Sequence, residues 1–192
     1  MVKNELIVHP LTSDRWNDLL QLFGKKGAYS NCWCTWFRLT NREFDSSGGE
    51  KKKRLLKELV DSEKPPGLLG YIENTPVAWI SLGPRDDFKR LQRSRILKPV
   101  DEKKVWSIVC FFIHKEYRKK GFSNKLINEA IKYAKGQNAM IVESYPVDSK
   151  DKMKTDSSMY TGKAGTFISV GFVETIRRSS TRPIMRYFVE KN

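Results

Sequence analysis

The sequence has no long hydrophobic run and few cysteines. No stretch approaches the roughly 18 consecutive apolar residues of a membrane-spanning helix, so we expect no membrane span. The segment from Met1 to Trp16 lacks the apolar centre of a secretory signal. Three cysteines are too few, and odd in number, for a disulfide scaffold. These absences together predict a protein of the reducing cytoplasm.

Standard metal and nucleotide motifs are also absent. Cys32 and Cys34 form one Cys-x-Cys pair, which His9 and His114 do not extend to a recognisable four-ligand spacing, so we predict no metal site. As nucleophiles these cysteines would need a nearby base, and none is evident. Cys110 lies in an apolar run and is expected to be a small core residue. The phosphate-loop patterns GxxxxGKS and GxxxxGKT and the dinucleotide pattern GxGxxG do not occur.

The sequence has fewer acidic residues than basic ones. The formal net charge is +14, from 36 Lys and Arg against 22 Asp and Glu. Such a field attracts anions, whether nucleic acid, acidic surfaces or phosphorylated small molecules. The basic residues are spread from Lys3 to Lys191 rather than gathered in one tail, and no nucleic-acid recognition motif is present. We therefore expect a soluble basic protein with no specific nucleic-acid partner, and note that the charge also suits a phosphate-bearing ligand.

Hydrophobic periodicity predicts one mixed α/β domain over residues 1–192. The apolar run 105–113 is typical of a central strand buried on both faces. An amphipathic helix is predicted to follow Gly121, because apolar residues recur there at helical spacing. These residues are Leu126, Ile127, Ala130, Ile131 and Ala134. The predicted order along the chain is strand, two helices, several strands, helix, strand, helix and two strands.

The sequence RKKGFS, residues 118–123, joins that central strand to that helix. The first N–H groups of a helix have no partner inside it, and the helix dipole places partial positive charge there. A glycine in the preceding turn lets the backbone approach a ligand, which makes a nest of donors suited to phosphate. The alternative interpretation is a tight basic turn that happens to precede a helix.

The segment IHKEYRKKGFSNKLI, residues 113–127, resembles the acetyl-CoA signature of the GNAT superfamily of N-acetyltransferases. In that signature an apolar strand precedes Arg or Gln, two residues, Gly, one residue, and Gly or Ala. Arg118 takes the first place and Gly121 the central one, while Ser123 stands where the family usually has Gly or Ala. FISVGFVE, residues 167–174, resembles the short helix and Gly-Phe pair before the family's final strands. Within the superfamily, NCWCTW and RPIMR resemble a poorly characterised bacterial subgroup.

The resemblance implies a GNAT-like mixed, mostly antiparallel central sheet flanked by helices, with acetyl-CoA as co-substrate. The pantetheine arm is expected beside the central strand, on the backbone of Phe111, Phe112 and Ile113, with the Ile113 N–H stabilising the oxyanion. The pyrophosphate is expected on the loop, and lysines there could reach the 3′-phosphate. The residues that it assigns to the loop are Arg118, Lys119, Lys120, Gly121, Phe122, Ser123 and Asn124.

The resemblance also implies direct acetyl transfer to an amine, with an acid for the departing thiol and a base for the amine. Phe167 occupies the position of the family's usual tyrosine acid, so Tyr160 and Tyr145 are the candidate acids. The alternatives are that each tyrosine only packs against its neighbours and that no acid is needed. Some members carry a glutamate base where Ser107 stands here. Glu143 is the candidate base, and a structural ion pair is its alternative.

The segment between the first two helices lines the acceptor pocket in GNAT folds. The resemblance therefore places Trp33 and Trp36 at the acceptor, together with Phe37, while Arg38 offers a charge. Core packing is the competing interpretation. The acceptor is expected to be an amine of a small molecule, peptide or protein, and the protein a monomer or homodimer. Because Phe167 and Ser107 depart from the family pattern, a non-catalytic module that binds CoA or acyl-CoA stays as the alternative function.

Overall fold

A computed structural model describes residues 5–148 and 159–190 of the chain. In these ranges, helices and strands follow one another in the order that the sequence predicts. The short helix α4 lies where FKRLQRSR, residues 88–95, predicts one, and the short helix α2 is additional. No described helix is long and apolar enough to cross a membrane. The strands are β1 (Ile7–Pro10), β2 (Gly67–Ile72), β3 (Thr75–Pro84), β4 (Trp106–Ile113), β5 (Ile141–Ser144), β6 (Val173–Arg177) and β7 (Pro183–Phe188). The helices are α1 (Trp16–Phe23), α2 (Asn41–Asp45), α3 (Gly49–Asp61), α4 (Lys89–Arg93), α5 (Phe122–Gly136) and α6 (Ala164–Ser169).

The seven strands form one sheet in the order β1-β2-β3-β4-β5-β7-β6. Neighbouring strands are antiparallel except for β4 and β5, which run parallel. Helix α5 makes the crossover between these two strands, as a parallel connection requires. The predicted mixed α/β fold with a mostly antiparallel sheet is confirmed.

The sheet opens between β4 and β5. Pairing with β5 covers only 106–108 of β4, against 142–144. On its other edge β4 stays paired with β3 as far as Ile113, with a bulge that leaves Val109 as the extra residue. Beyond Ile108, β4 therefore has a strand partner on one edge alone within the described part of the chain, and the other edge faces a gap.

Each face of the sheet carries its own hydrophobic core. Helices α5 and α6 cover one face, and all five apolar residues predicted on α5 are buried there. The other face is covered by α1 and α3 through Leu19, Leu56 and other apolar side chains around Trp79. Burying one such side chain contributes on the order of 1.5–3 kcal/mol, so the two cores hold both layers firmly against the sheet. The gap beside β4 is thus bordered by elements that are packed into both cores.

Candidate active site

A cavity of about 930 Å³ lies at the gap between β4 and β5. Its lining residues come from both cores, so the cavity passes through the sheet from one face to the other. We call the part on the α5 and α6 face the helix half; it is lined by Ile113, Arg118, Lys119, Ser123, Ile127, Lys163, Thr166 and Phe167. We call the opposite part the aromatic half; it is lined by Ala28, Tyr29, Ser30, Cys32, Cys34, Trp36, Phe37, Phe44, Cys110, Phe112 and Tyr160.

The backbone of β4 faces the gap at alternate residues. The Phe111 N–H donates to the Tyr160 carbonyl at 2.7 Å, and the Ile113 carbonyl accepts from Arg118 Nε at 3.0 Å. Because backbone groups alternate between the two edges of a strand, Ile113 also directs its N–H to the gap, whereas Phe112 directs its polar groups to β3. The expectation of three pantetheine-binding residues is therefore corrected. Phe112 contributes its ring to the aromatic half, and the Phe111 N–H is already bonded to Tyr160.

The turn before α5, where the sequence predicts a nest of donors, contains two residues with left-handed backbone conformations. Gly121 is the N-cap residue of α5, with φ of 77°, and Lys119 two residues earlier has φ of 62°. A Cβ added to Gly121 would meet no described atom within 4 Å, so the left-handed φ, and not lack of space, favours glycine here. The open space lies at the positive end of a 15-residue helix, where N–H groups of the first turn lack helical partners.

The side chains predicted for this loop divide into two groups. Arg118, Lys119 and Ser123 line the cavity. Three others are engaged nearby. Asn124 donates from Nδ2 to Ser169 Oγ at 2.9 Å, and the rings of Phe122 and Tyr117 stack with centroids 6.5 Å apart, while Lys120 Nζ lies 5.0 Å from the Tyr117 centroid. The loop thus presents two basic side chains and a small hydroxyl to the cavity.

Tyr160 is the predicted acid that the structure brings to the cavity. Its side chain is half-buried, and its ring lies 6.2 Å from that of Phe37, measured between centroids. Burial raises the pKa of its phenol, an effect that the nearby Arg182 guanidinium partly offsets. Phe167, at the family's usual acid position, is fully buried and packs edge-on against Phe111. Of the predicted proton donors, Tyr160 is therefore the one among the described residues of the cavity lining, and its own backbone carbonyl accepts the hydrogen bond from Phe111 on β4.

The structure keeps Glu143 and Tyr145 away from the cavity. Glu143 is 1% exposed and pairs with Arg85 at 3.1 Å and with Arg186 at 2.7 Å. The Tyr145 hydroxyl donates to Glu143 at 2.7 Å, accepts from Arg85 at 2.6 Å and lies 2.8 Å from Ser107 Oγ. Burial raises the pKa of this phenol well above its usual range. The catalytic roles predicted for Glu143 and Tyr145 are corrected to a buried ion-pair network, since neither is among the described residues that line the cavity.

The predicted acceptor residues are only partly brought together. Trp36 and Phe37 line the aromatic half, and the Trp36 ring meets that of Phe44 edge-on, with centroids 4.8 Å apart. Trp33 is instead 4% exposed in the core. Arg38 is also buried, 3.7 Å from an Asp87 carboxylate oxygen, and burial lowers its pKa. The acceptor roles predicted for Trp33 and Arg38 are therefore corrected to core packing.

Several lining residues lie outside the sequence prediction. The three cysteines, which approach from two distant parts of the chain, and Lys163 before α6 belong to this set. Their convergence depends on the sheet gap and on the irregular segment 28–34, which no local sequence period describes. The nearest sequence signal is the concentration of aromatic residues and cysteines in NCWCTW. Despite the three thiols, no cluster of His, Cys, Asp or Glu suited to a metal ion occurs among the described residues.

One protein family matches this chain in sequence, and solved structures share its fold. Residues 33–150 match the acetyltransferase (GNAT) family. No curated protein sequence gives a significant match. The PaiA N-acetyltransferase of Thermoplasma acidophilum, solved in complex with coenzyme A, superposes with a TM-score of 0.53 at 16% identity, over 96% of this chain and 99% of that chain. The ribosomal-protein-alanine N-acetyltransferase of Brucella melitensis superposes with a TM-score of 0.55 at 14% identity, over 95% and 99%.

At such identities the structural likeness establishes the fold, whereas the family match spans more than half of the sequence. The split β4–β5 edge, the left-handed glycine before α5 and the matched residues agree with one another. The chain belongs to the GNAT family of acetyltransferases.

Proposed function

We propose that this protein is a single-domain acetyl-CoA-dependent N-acetyltransferase, which transfers the acetyl group directly to a primary amine. The observation that carries the proposal is the cavity that passes through the sheet. Its helix half offers an anion nest, and its aromatic half opens on the other face of the same strand. Two substrates can therefore enter from opposite faces and meet beside β4.

The donor occupies the helix half in this proposal. The pantetheine arm lies along the open edge of β4 and takes the place of the missing β5 pairing beyond Ile108. The pyrophosphate lies on the N–H groups around Gly121, with Arg118 and Lys119 supplying positive charge. Support comes from the relative solved with coenzyme A, which shares this fold.

The reaction joins the amine nitrogen to the thioester carbonyl carbon and then breaks the carbon–sulfur bond. The Ile113 N–H is directed to the gap and stabilises the oxyanion; one such donor is worth about 100-fold to 1,000-fold in rate. Tyr160 donates a proton to the departing thiolate of CoA. The amine loses its proton to water, since the described residues of the cavity lining include no carboxylate or imidazole. Holding both reactants at β4 supplies much of the remaining acceleration.

The acceptor is proposed to be an amine on an apolar or aromatic body. The aromatic half presents Tyr29, Trp36, Phe37, Phe44, Phe112 and Tyr160, and no described lining residue is acidic. A net charge of +14 also disfavours the approach of polycations. Polyamines and lysine-rich peptides are therefore expected to be poorer acceptors than amines on neutral aromatic groups.

The alternative function is a module that binds CoA or acyl-CoA without turnover. Two observations keep it in view: the residue at the usual acid position is the buried Phe167, and the residue at the usual base position is the buried Ser107. The alternative shares the donor site and differs only in the absence of chemistry.

Calorimetric titration with acetyl-CoA, CoA and ADP separates these possibilities in its first step. Saturable binding that requires the pantetheine arm supports the donor site, and absence of binding by all three ligands overturns both functions. Thiol release from acetyl-CoA is then measured across neutral aromatic amines, amino acids, polyamines and peptides. Release with one class supports the transferase, whereas tight acetyl-CoA binding with no release across the panel supports the binding module.

A further inference from the structure

All three cysteines of the chain line the aromatic half of the cavity. Cys34 belongs to the irregular segment before α2, and Cys110 lies on β4, 76 residues later. Their Sγ atoms are 3.0 Å apart, and both side chains are buried against the protein while bordering the cavity. Cys32 is half-buried and borders the same space. Acetyl transfer as proposed above uses none of these thiols.

Two side chains contact the sulfur of Cys34. Trp79 donates to it from Nε1 at 3.2 Å, and Cys110 Sγ lies 3.0 Å from it. The hydrogen bond to Cys34 and burial together raise the pKa of the Cys110 thiol well above its usual range. Burial also raises the pKa of Cys32, to about 11. The Trp79 N–H at Cys34 Sγ is placed to stabilise negative charge on an attacking sulfur, so we assign the attack to Cys34.

We propose that Cys34 and Cys110 are a thiol–disulfide pair that closes with a small disulfide, such as oxidised glutathione, as the oxidant. A disulfide bond is about 2.05 Å long, so the two sulfurs need to approach by only about 1 Å. The oxidant can reach them because both border a cavity large enough for a small molecule.

The exchange proceeds in two balanced steps. The Cys34 thiolate attacks one sulfur of the oxidant, which forms a mixed disulfide and releases one thiolate that takes up a proton. Cys110 then loses its proton and attacks Cys34 Sγ, which forms the internal disulfide and releases the second thiol. Two protein thiols and one small disulfide thus become one protein disulfide and two small thiols.

Closure would tie an irregular segment to the central strand. Between residues 28 and 34, five non-glycine residues have positive φ angles: Ala28, Ser30, Asn31, Trp33 and Cys34. Such a segment is held by its contacts and not by a regular hydrogen-bond ladder. A disulfide to Cys110 would fix the segment 28–34, which lines the aromatic half, to β4. The reduced pair leaves this segment able to change its conformation. The oxidation state therefore sets the shape available to a ligand in that half.

The test is a peptide map of the native, full-length protein after equilibration with oxidised glutathione, rapid alkylation and digestion without reductant. The expected product is a peptide pair joined through Cys34 and Cys110, lighter by two hydrogen atoms, with Cys32 recovered in alkylated form. Dithiothreitol should reverse it. A protein that carries only a glutathione adduct on Cys32, or a disulfide that includes Cys32, would overturn the proposal.

Matched variants keep the result interpretable. Cys32→Ser should form the same cross-link at a rate within about threefold of the natural chain. Cys110→Ser should trap the mixed disulfide on Cys34 instead, which shows the order of attack even where the cross-link is lost. Trapping on Cys32 in place of Cys34 contradicts that order. The readout is a mass, so its failure is distinct from failure of the acetyl-CoA titration.

Discussion

Arg85 donates from Nη1 to Glu143 Oε2 at 3.1 Å, with both side chains almost entirely withdrawn from solvent. The second oxygen of Glu143 accepts from Arg186 Nε at 2.9 Å, so one carboxylate serves two guanidinium groups. This cluster joins β5 and β7 to the turn after β3. Because none of these three residues lines the cavity, the cluster is expected to affect folding and not chemistry.

Glu143→Gln is expected to lower the free energy of unfolding by about 3 kcal/mol. The neutral amide leaves Arg85 without its counter-charge in a buried site, whereas Arg186 still pairs with Asp101. Urea denaturation followed by tryptophan fluorescence measures the loss. Glu58→Gln, at an exposed position on α3, is the control and should change stability by less than about 0.5 kcal/mol. A Glu143→Gln protein of unchanged stability that has lost turnover would restore the catalytic role for this residue.

The stability that Asp101 contributes is expected to be lost in acid. Two hydrogen bonds from Arg186, at 2.6 and 2.9 Å, lower the pKa of this carboxyl from its ordinary 3.8 to about 2. A carboxyl with a depressed folded-state pKa contributes stability above its unfolded-state pKa, and that contribution is lost as pH falls through the folded-state value. The urea midpoint of Asp101→Asn should therefore vary less than that of the natural chain between pH 4 and pH 2. Parallel curves for the two proteins would contradict the assignment.

Gly121→Val is expected to weaken binding of both acetyl-CoA and ADP by more than tenfold. A β-branched residue resists the left-handed φ of 77°, and its methyl groups would fill the space left for the pyrophosphate. Gly136→Val is the matched control at the other end of α5, where a Cβ also meets no described atom. Calorimetry should give that control the affinity of the natural chain. Equal affinities for the two variants would mean that the turn at Gly121 does not bind the pyrophosphate.

Tyr160→Phe is expected to lower kcat about 100-fold while the affinity for acetyl-CoA stays unchanged. Because burial raises the pKa of this phenol above 10.0, the acid stays protonated across neutral and mildly alkaline pH. In the natural chain kcat should therefore show no alkaline decline below about pH 10. Tyr133→Phe, at a tyrosine of α5 that is not among the cavity-lining residues, should leave kcat unaltered. A Tyr160→Phe enzyme of full activity would mean that the thiol leaves without a protein acid.

The strand, turn and helix around Gly121 could be predicted from the sequence because the signals for them are local. The apolar run, the single glycine and the helical spacing that follows lie within one segment, and the confirmed helix α5 begins at Phe122, directly after that glycine. Backbone geometry there depends on residues that are neighbours along the chain. Even so, the sequence did not indicate that Phe112 turns its polar groups to β3, since strand register depends on a distant partner and a bulge.

The aromatic half of the cavity could be predicted from the sequence only in part. Trp33 and Trp36 stand three residues apart in the same cysteine-rich segment, yet one is in the core and the other borders the cavity. Positive φ angles at Trp33 and Cys34 turn the chain between them, and no hydrophobic period encodes such a path. Glu143 was ambiguous for a different reason. A lone carboxylate in an apolar strand signals a buried partner, but the partners, Arg85 and Arg186, come from elsewhere in the chain.

The gap beside β4 has a consequence for stability. A ligand that hydrogen-bonds to this edge completes the sheet, so it binds the folded chain and finds no equivalent surface on the unfolded one. Its binding free energy then adds to the free energy of unfolding, by about 2.7 kcal/mol at a concentration of 100 times Kd. The open sheet would therefore be most resistant to heat and to proteases when its co-substrate is abundant, and the supply of acetyl-CoA would influence how long the protein persists as well as how fast it works.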